Sequence, residues 1–269
     1  MSSKISFKDF YFYTIHGYSN RELQQIFNLG KSTISYQQRK YGLDKLAKYK
    51  KNPQFKFEKI DTPEKAYILG FILADGSIEQ NNNIELSVSL EDKEIVDYIA
   101  TIINSSVFTD KTYNKKQRKF PRARTNKNIK DITKFTGGRA KKDRHYPRVK
   151  RDLERYLLLG FFDGDGCITW GRRKDRNRLW NKISFTSSYS LLYGVQQHLL
   201  RIGITTTLRP KSGENCFVLE FANKNDIIRF LNYIYPEDSE FVVLQRKYLK
   251  NRALRLELEE NGEGPERME

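Results

Sequence analysis

The chain contains 269 residues, which is long enough for a sizeable core or for two to three small domains. Lysine and arginine outnumber aspartate and glutamate by 49 to 33, and the net charge of +16 favours a polyanionic partner. No apolar run is long enough to span a membrane and no apolar N-terminal signal is present, which argues against a membrane role. Cys167 and Cys216 have neither metal-ligand spacing nor a disulfide framework, so an intracellular, reducing compartment is expected.

Residues 19–43 predict two short helices joined by a Leu-Gly turn. Ser19 and Glu22 have the spacing of a capping box for the first helix, and the second helix covers residues 31–41. The pattern resembles a helix-turn-helix DNA-binding unit, with a plain helical hairpin as the alternative. The polar residues of the second helix that would contact bases or phosphates include Ser32, Thr33 and Arg39.

Composition and pattern divide the chain into five segments. A basic stretch with an internal proline follows the helical unit and is expected to form a linker, while the acidic, Gly- and Pro-bearing end is expected to be disordered. The predicted segments are 1–47 for the helix-turn-helix-like unit, 48–61 for the basic linker, 62–145 for a first repeat, 146–256 for a second repeat and 257–269 for the tail.

The two repeats are predicted from a recurring order of helices and strands. The first has a helix at 63–75, a strand at 84–90, a helix at 91–104, strands at 107–113 and 119–126, and a short helix at 128–136. The second has a helix at 153–164, strands at 167–172 and 179–187, a helix at 189–202, strands near 204–210 and 216–222, and helices at 224–234 and 240–256. The predicted fold class is α+β, with two αββαββα units after a small helical domain.

Each repeat opens with a similar nine-residue pattern, Ile-Leu-Gly-Phe-Ile-Leu-Ala-Asp-Gly at 68–76 and Leu-Leu-Gly-Phe-Phe-Asp-Gly-Asp-Gly at 158–166. Small residues four apart would let the two helices pack closely. These pairs are Gly70 with Ala74 and Gly160 with Gly164. Packing would bring Asp75 and Asp165 together at helix C-termini, where the dipoles and mutual repulsion disfavour carboxylates. A divalent cation would relieve both effects, and paired carboxylates with Mg²⁺ (or Mn²⁺) form a site that hydrolyses phosphodiesters.

The two nonapeptides resemble the paired signatures of the LAGLIDADG homing endonucleases, and the resemblance covers roughly residues 62–256. The first departs from the pattern at Leu73, where the family has an aspartate, although the last aspartate of each motif is kept. The resemblance implies that Asp75 and Asp165 are the metal ligands, and that two pseudo-symmetric halves form a β-saddle on duplex DNA. It also implies a lysine or polar residue near the start of the last helix of a half, for which Gln245 and Lys247 are the candidates.

Alternating strands give each predicted sheet one donor-rich polar face and one apolar face, and a β-ribbon of this kind fits the major groove. A solvated sheet face is the alternative for any single residue. The strand residues expected to contact DNA are Arg122, Arg124, Lys182, Arg209 and Lys211. Phosphate contacts are expected from the more highly charged loops, through Lys111, Lys115, Lys116, Arg118, Arg172 and Arg173.

These features indicate a monomeric, metal-dependent DNA endonuclease, and the resemblance implies that it cuts both strands of duplex DNA at a long target site. The resemblance implies a break with short 3′ overhangs and a role in mobilising an intron, an intein or a free-standing element. A start at Met1 with its own DNA-binding unit suits an intron-encoded or free-standing enzyme in the cytoplasm or in an organelle with DNA. The alternatives are a catalytically inactive DNA-binding regulator and an RNA-splicing maturase on the same scaffold.

Overall fold

The computed structural model describes residues 20–40, 57–113, 119–130, 132–172, 179–211, 215–236 and 243–260. Two helices, α1 (Asn20–Phe27) and α2 (Lys31–Lys40), form the N-terminal segment. Each buries one apolar side chain, Leu23 and Ile34, and Gln38 Nε2 donates a 2.7 Å hydrogen bond to Asn20 Oδ1. The predicted capping residue Ser19 lies outside the described ranges.

The first half of the main body contains three helices and a four-stranded antiparallel sheet. Its elements are α3 (Pro63–Asp75), β1 (Gly76–Ile78), β2 (Asn83–Ser89), α4 (Lys93–Ile102), β3 (Val107–Tyr113), β4 (Lys119–Asn128) and α5 (Thr133–Thr136), with strand order β1-β2-β4-β3. Helix α3 begins where it does because Thr62 accepts a 3.3 Å hydrogen bond from Lys65 N and Pro63 occupies the first turn.

The second half repeats this topology. Its elements are α6 (Glu154–Asp165), β5 (Gly166–Arg172), β6 (Leu179–Ser187), α7 (Tyr189–Arg201), β7 (Thr207–Pro210), β8 (Phe217–Phe221), α8 (Lys224–Ile234) and α9 (Gln245–Glu260), with strand order β5-β6-β8-β7. The matching strand order confirms the predicted α+β fold of two related halves.

Helices α3 and α6 pack directly against each other at the centre of the molecule. A Cβ atom built on Gly70 would lie 2.1 Å from Leu157 O, and one on Gly160 would lie 2.0 Å from Tyr67 O. Both helices therefore depend on glycine for backbone-to-backbone approach. Large buried side chains surround this contact, among them Tyr67, Phe71, Phe161 and Phe162.

Several element boundaries differ from those predicted by one to five residues; α9, for example, begins at Gln245 rather than at residue 240. Strand β1 was not expected, because three residues are too short to show alternation; it pairs with β2 through Gly76 and Leu86. Helix α5 begins at Thr133 rather than at residue 128, because Asn128 still pairs with Asn83 in the sheet.

The C-terminal helix also runs further than predicted. Helix α9 continues to Glu260, four residues into the tail that was expected to be disordered. Leu254 and Leu258 lie one turn apart and are both buried, and Lys224 Nζ donates a 2.9 Å hydrogen bond to Leu258 O. The acidic residues around Leu258 conceal this apolar anchor in the sequence. Among the helices of the described ranges, none is both long and apolar enough to cross a membrane.

Candidate active site

Asp75 and Asp165 are the last residues of α3 and α6, so the helix pair brings both carboxylates to one end of the molecule's central contact. A Cβ atom on Gly164 would lie 2.3 Å from Ala74 Cβ and 3.2 Å from Asp75 Oδ2. The carboxylate of the first half therefore lies beside the end of the helix of the second half. The four small motif residues Gly70, Ala74, Gly160 and Gly164 lie at this helix contact.

Lys141 joins the two helix ends. Its ammonium group donates a 2.9 Å hydrogen bond to Asp165 Oδ1, lies 2.8 Å from Asp165 Oδ2, and donates a 2.7 Å hydrogen bond to Ala74 O. Lys141 belongs to the first half and was not among the predicted site residues. Its signal in the sequence is faint, because it lies in an irregular, basic segment that follows Gly137-Gly138.

The two aspartates differ in environment. The Asp165 side chain is only 11% exposed, and burial raises its pKa to about 6 although the Lys141 ammonium acts in the opposite direction. Asp75 is more exposed as a residue, yet burial around its carboxyl group raises its pKa as well, against the opposing charges of Lys141 and Lys247. Both positions therefore disfavour a bare carboxylate charge, which is the condition that a bound cation relieves.

Lys247 and Arg144 bind equivalent carbonyl groups at the ends of the two central helices. Lys247 Nζ donates to Phe162 O at 2.5 Å and Asp163 O at 2.7 Å. Arg144 Nη1 donates to Ile72 O at 3.0 Å and Leu73 O at 3.4 Å, which are the corresponding positions of the first motif. Each cation thus satisfies orphan carbonyls and opposes the negative end of a helix dipole.

Lys247, a predicted catalytic residue, is 4% exposed, and burial lowers its pKa to about 8. Its side chain also reaches towards Gly164 O at 3.4 Å, next to Asp165. Gln245, the other candidate, is the first residue of α9 and is half-buried. Of the two, Lys247 is the one with described hydrogen bonds to the helix end that carries Asp165.

Asp163, the motif residue with no carboxylate counterpart in the first half, forms a buried network. Its carboxylate accepts hydrogen bonds from Tyr67 Oη at 2.7 Å, Tyr235 Oη at 3.1 Å and Leu244 N at 2.9 Å. Burial raises the pKa of Asp163, although Lys247 and these donors lower it. Because Tyr67 belongs to α3 and Leu244 precedes α9, Asp163 connects both halves of the molecule to the start of the last helix.

The donor set around the paired aspartates fits a hard divalent cation. Carboxylate oxygens are what Mg²⁺ prefers, and this ion is commonly held by one or two carboxylates together with water and substrate phosphates. Among the described residues no group of three or more His, Cys, Asp or Glu side chains could hold a metal ion. Among the same residues the buried Asp165 Oδ2 accepts no well-directed hydrogen bond, and the Lys141 ammonium 2.8 Å away already supplies a positive charge beside it.

The first sheet presents arginines on the face opposite the helices. Arg122 and Arg124 in β4 alternate with Ala123, which is fully buried, so both arginines lie on the outer face. Arg122 Nη2 donates a 2.6 Å hydrogen bond to Ser87 O, and Arg124 Nη1 lies 3.5 Å from Glu85 Oε1. Half-exposed guanidinium groups therefore lie on the outer face of the sheet, where a partner could contact them.

The second sheet carries a corresponding cluster on its outer face. Lys182 Nζ lies 3.1 Å from Glu220 Oε2, while Arg209 Nε and Nη2 donate to Glu220 Oε1 at 3.1 and 3.0 Å. Lys211 follows β7 and is exposed. The alternating burial of Ile183 and Phe185 confirms that Lys182 lies away from the core.

The structure shows less about the other residues that were predicted to contact DNA. Lys115, Lys116, Arg118 and Arg173 lie outside the described ranges. Lys111 and Arg172 lie in β3 and β5 rather than in the predicted loops, because the strands extend that far, and their side chains are not described. In α2, Ser32 and Arg39 are exposed, Thr33 is half-buried, and Arg39 Nε donates a 3.3 Å hydrogen bond to Ser35 O. The side chains of Ser32 and Arg39 are therefore accessible, and their role in binding stays a prediction.

Comparisons with known proteins agree with this architecture. Residues 152–235 match the LAGLIDADG-like domain model and residues 64–142 match the WhiA LAGLIDADG-like domain model. The solved structure of the meganuclease I-SmaMI bound to uncleavable DNA is similar, with a TM-score of 0.53, 11% identity, and coverage of 76% of this chain and 92% of that one. The homing endonuclease I-WcaI bound to its DNA recognition sequence gives a TM-score of 0.50 with 13% identity over 73% and 93% of the two chains. No curated protein sequence matches. At these identities the structural similarity concerns the fold.

Proposed function

This chain contains two LAGLIDADG-like domains in one polypeptide, and on that basis we propose that it is a site-specific endonuclease that cuts both strands of duplex DNA. The observation that carries the proposal is the placement of Asp75 and Asp165 at adjacent helix ends, where each helix leads directly into the edge strand of a sheet with a basic outer face. The solved structures with the same fold include one protein bound to uncleavable DNA and one bound to its DNA recognition sequence.

In the proposed reaction Asp75 and Asp165 would hold the divalent metal, Mg²⁺ or Mn²⁺, and orient the water that attacks the phosphorus. Such a metal, when bound, activates water and stabilises charge on the leaving 3′-oxygen. Lys141 and Lys247 place positive charge at the two helix ends, where negative charge develops on the scissile phosphates. The arginines and lysines on the sheet faces would hold the duplex in position.

The double-strand break is expected to leave short 3′ overhangs and to mobilise the genetic element that encodes the chain. A second candidate function is a DNA-binding protein that does not cut. The N-terminal helix pair favours it, because a separate binding unit suits a regulator as well as a nuclease. The two functions differ in a single measurable property, which is metal-dependent hydrolysis.

The test uses the full-length chain, Mg²⁺ and a plasmid that carries the DNA flanking its open reading frame. Cleavage by the wild type is expected to fall by orders of magnitude in Asp75→Asn and in Asp165→Asn, because each change removes a charge that a hard cation requires. Asp152→Asn is the matched control, since Asp152 is exposed and lies before the N-terminal end of α6, opposite to the end that carries Asp165. Specific binding without any cleavage would favour the regulator, and near-wild-type cleavage by both variants would exclude this site.

A further inference from the structure

Glu220 is a carboxylate in the middle of the basic outer face of the second sheet. It lies in the central part of the sheet, where β8 runs between β6 and β7, and its direct neighbours are Ser184 and Thr207. Its side chain is 20% exposed, against 39% for Lys182 and 52% for Arg209. The carboxylate therefore lies beneath the two cations that project further into solvent.

The two oxygens of Glu220 are divided between the cations. Oε2 faces Lys182 Nζ at 3.1 Å, and Oε1 accepts hydrogen bonds from both Nε and Nη2 of Arg209. Lys182 and Arg209 each lie two residues along their strand from the direct neighbour of Glu220, so the carboxylate is reached diagonally from both sides. Burial opposes ionisation, but the hydrogen bonds to Lys182 and Arg209 hold the pKa of Glu220 below its usual value.

Neither stability nor phosphate binding accounts for this arrangement. Ion pairs as exposed as these contribute about 0–1 kcal/mol to folding. A carboxylate on a surface that binds phosphates also weakens that binding, because it cancels positive charge. What the cluster does provide is a fixed direction for a long, flexible arginine side chain.

The hydrogen-bond donors that Arg209 has left over suit recognition of guanine. A guanidinium group has five N–H donors, and Glu220 engages two of them along the edge formed by Nε and Nη2. The edge formed by Nη1 and Nη2 retains donors in the spacing that pairs with O6 and N7 of guanine in the major groove. We propose that Glu220 is a positioning residue that orients Arg209 to read one guanine in the DNA half-site bound by the second sheet.

This inference rests on the proposed function, and a base-preference measurement separates the two. The full-length chain is used without divalent metal to select binding sites from a randomised duplex library. The variants are Arg209→Ala, Glu220→Ala and Glu85→Ala. Glu85 is the matched control, because it also lies on an outer sheet face beside an arginine, but in the other half and at 3.5 Å from Arg124.

The wild type is expected to prefer guanine at one position by about tenfold, the size of a good bidentate contact. Arg209→Ala and Glu220→Ala are expected to lose the preference at that same position, and Glu85→Ala is expected to keep it. Glu220→Ala should also bind unrelated duplex DNA more tightly, because it leaves Lys182 and Arg209 uncompensated. A change in folding alone would weaken binding at every position equally.

A modified base gives an independent readout. Replacing the selected guanine by 7-deazaguanine removes the N7 acceptor, which should weaken binding of the wild type but not weaken Arg209→Ala further. A wild type that enriches no sequence would contradict the proposed function itself. A wild type that selects a site in which Glu220→Ala keeps every guanine preference would contradict only the role of Glu220.

Discussion

Lys141 of the first half and Asp165 of the second half form an ion pair across the central helix contact, with Nζ 2.9 Å from Oδ1. The same ammonium group binds Ala74 O, the residue before Asp75, at 2.7 Å. One lysine therefore connects both candidate metal ligands, directly on one side and through the neighbouring backbone on the other. Lys247 differs from Lys141, because its described hydrogen bonds go to backbone carbonyls and not to a motif carboxylate.

Lys141→Met should lower DNA cleavage by at least tenfold, because it removes the positive charge beside Asp165 while leaving the fold intact. The measurement is single-turnover cleavage of the cognate DNA in Mg²⁺, together with binding in its absence. Lys142→Met is the control, since Lys142 is the exposed neighbour and carries the same charge. Equal cleavage by the two variants would show that Lys141 has no part in the reaction.

Gly160→Ala should destabilise the protein, because the added Cβ would lie 2.0 Å from Tyr67 O in a backbone that cannot move aside. The expected loss is about 1–3 kcal/mol in the free energy of unfolding, measured by urea denaturation. Alanine favours helix more than glycine by about 1 kcal/mol, so any loss isolates the steric effect. At Gly30 the nearest atom to an added Cβ is 4.0 Å away, and Gly30→Ala should be tolerated.

The buried His198 should make the stability of the folded state depend on pH. Its ring nitrogens lie 3.2 Å from Tyr146 Oη and 3.1 Å from Tyr233 Oη, and the side chain is fully buried. Burial lowers its pKa from 6.5 to about 4, and nearby Arg201 acts in the same direction, whereas Glu154, 3.8 Å from Nε2, offers a partner for the protonated ring.

The folded state therefore favours neutral His198, and the unfolded state takes up its proton first as the pH falls. This contribution to stability is complete above pH 6.5 and is lost towards pH 4, at about 1.4 kcal/mol per pH unit. His198→Gln should be less stable at pH 7 but should lose less stability between pH 6.5 and 4.5 in a urea titration series.

The affinity for duplex DNA should depend steeply on salt. The net charge is +16, and basic side chains lie on the outer faces of both sheets. If six or more phosphates are contacted, affinity should fall by roughly a thousandfold between 50 and 200 mM salt. Fluorescence anisotropy with a labelled duplex measures this directly, and a nearly flat dependence would contradict binding through the two sheet faces.

The central helix pair could be predicted because its signals are local. Small residues four apart and a terminal aspartate fix one helix face and one helix end, whatever the rest of the chain does. Lys141 and Arg144 could not be predicted in the same way. Their partners lie 67 and 72 residues away in the sequence, and the segment that carries them has no periodicity.

The contacts on the sheet faces could also be predicted only in part from the sequence. Strand alternation correctly predicts that Lys182 and Arg209 lie on polar faces, because side chains alternate with a period of two. Their contact with Glu220 requires β8 to run between β6 and β7. Alternation along a strand does not determine the order of the strands in the sheet. The unexpected length of α9 has a similar cause, since burial of Leu258 follows from packing against α8.

The bond between Tyr67 and Asp163 makes the two halves non-interchangeable. A protein engineer who joined two copies of the first half would place a leucine, the counterpart of Leu73, opposite a fully buried tyrosine hydroxyl. Losing a hydrogen bond of this kind costs about 0.5–1.5 kcal/mol. A chimera made from two copies of the first half would therefore need an aspartate in place of Leu73 in the second copy, or phenylalanine in place of Tyr67, for the two copies to pack without this loss.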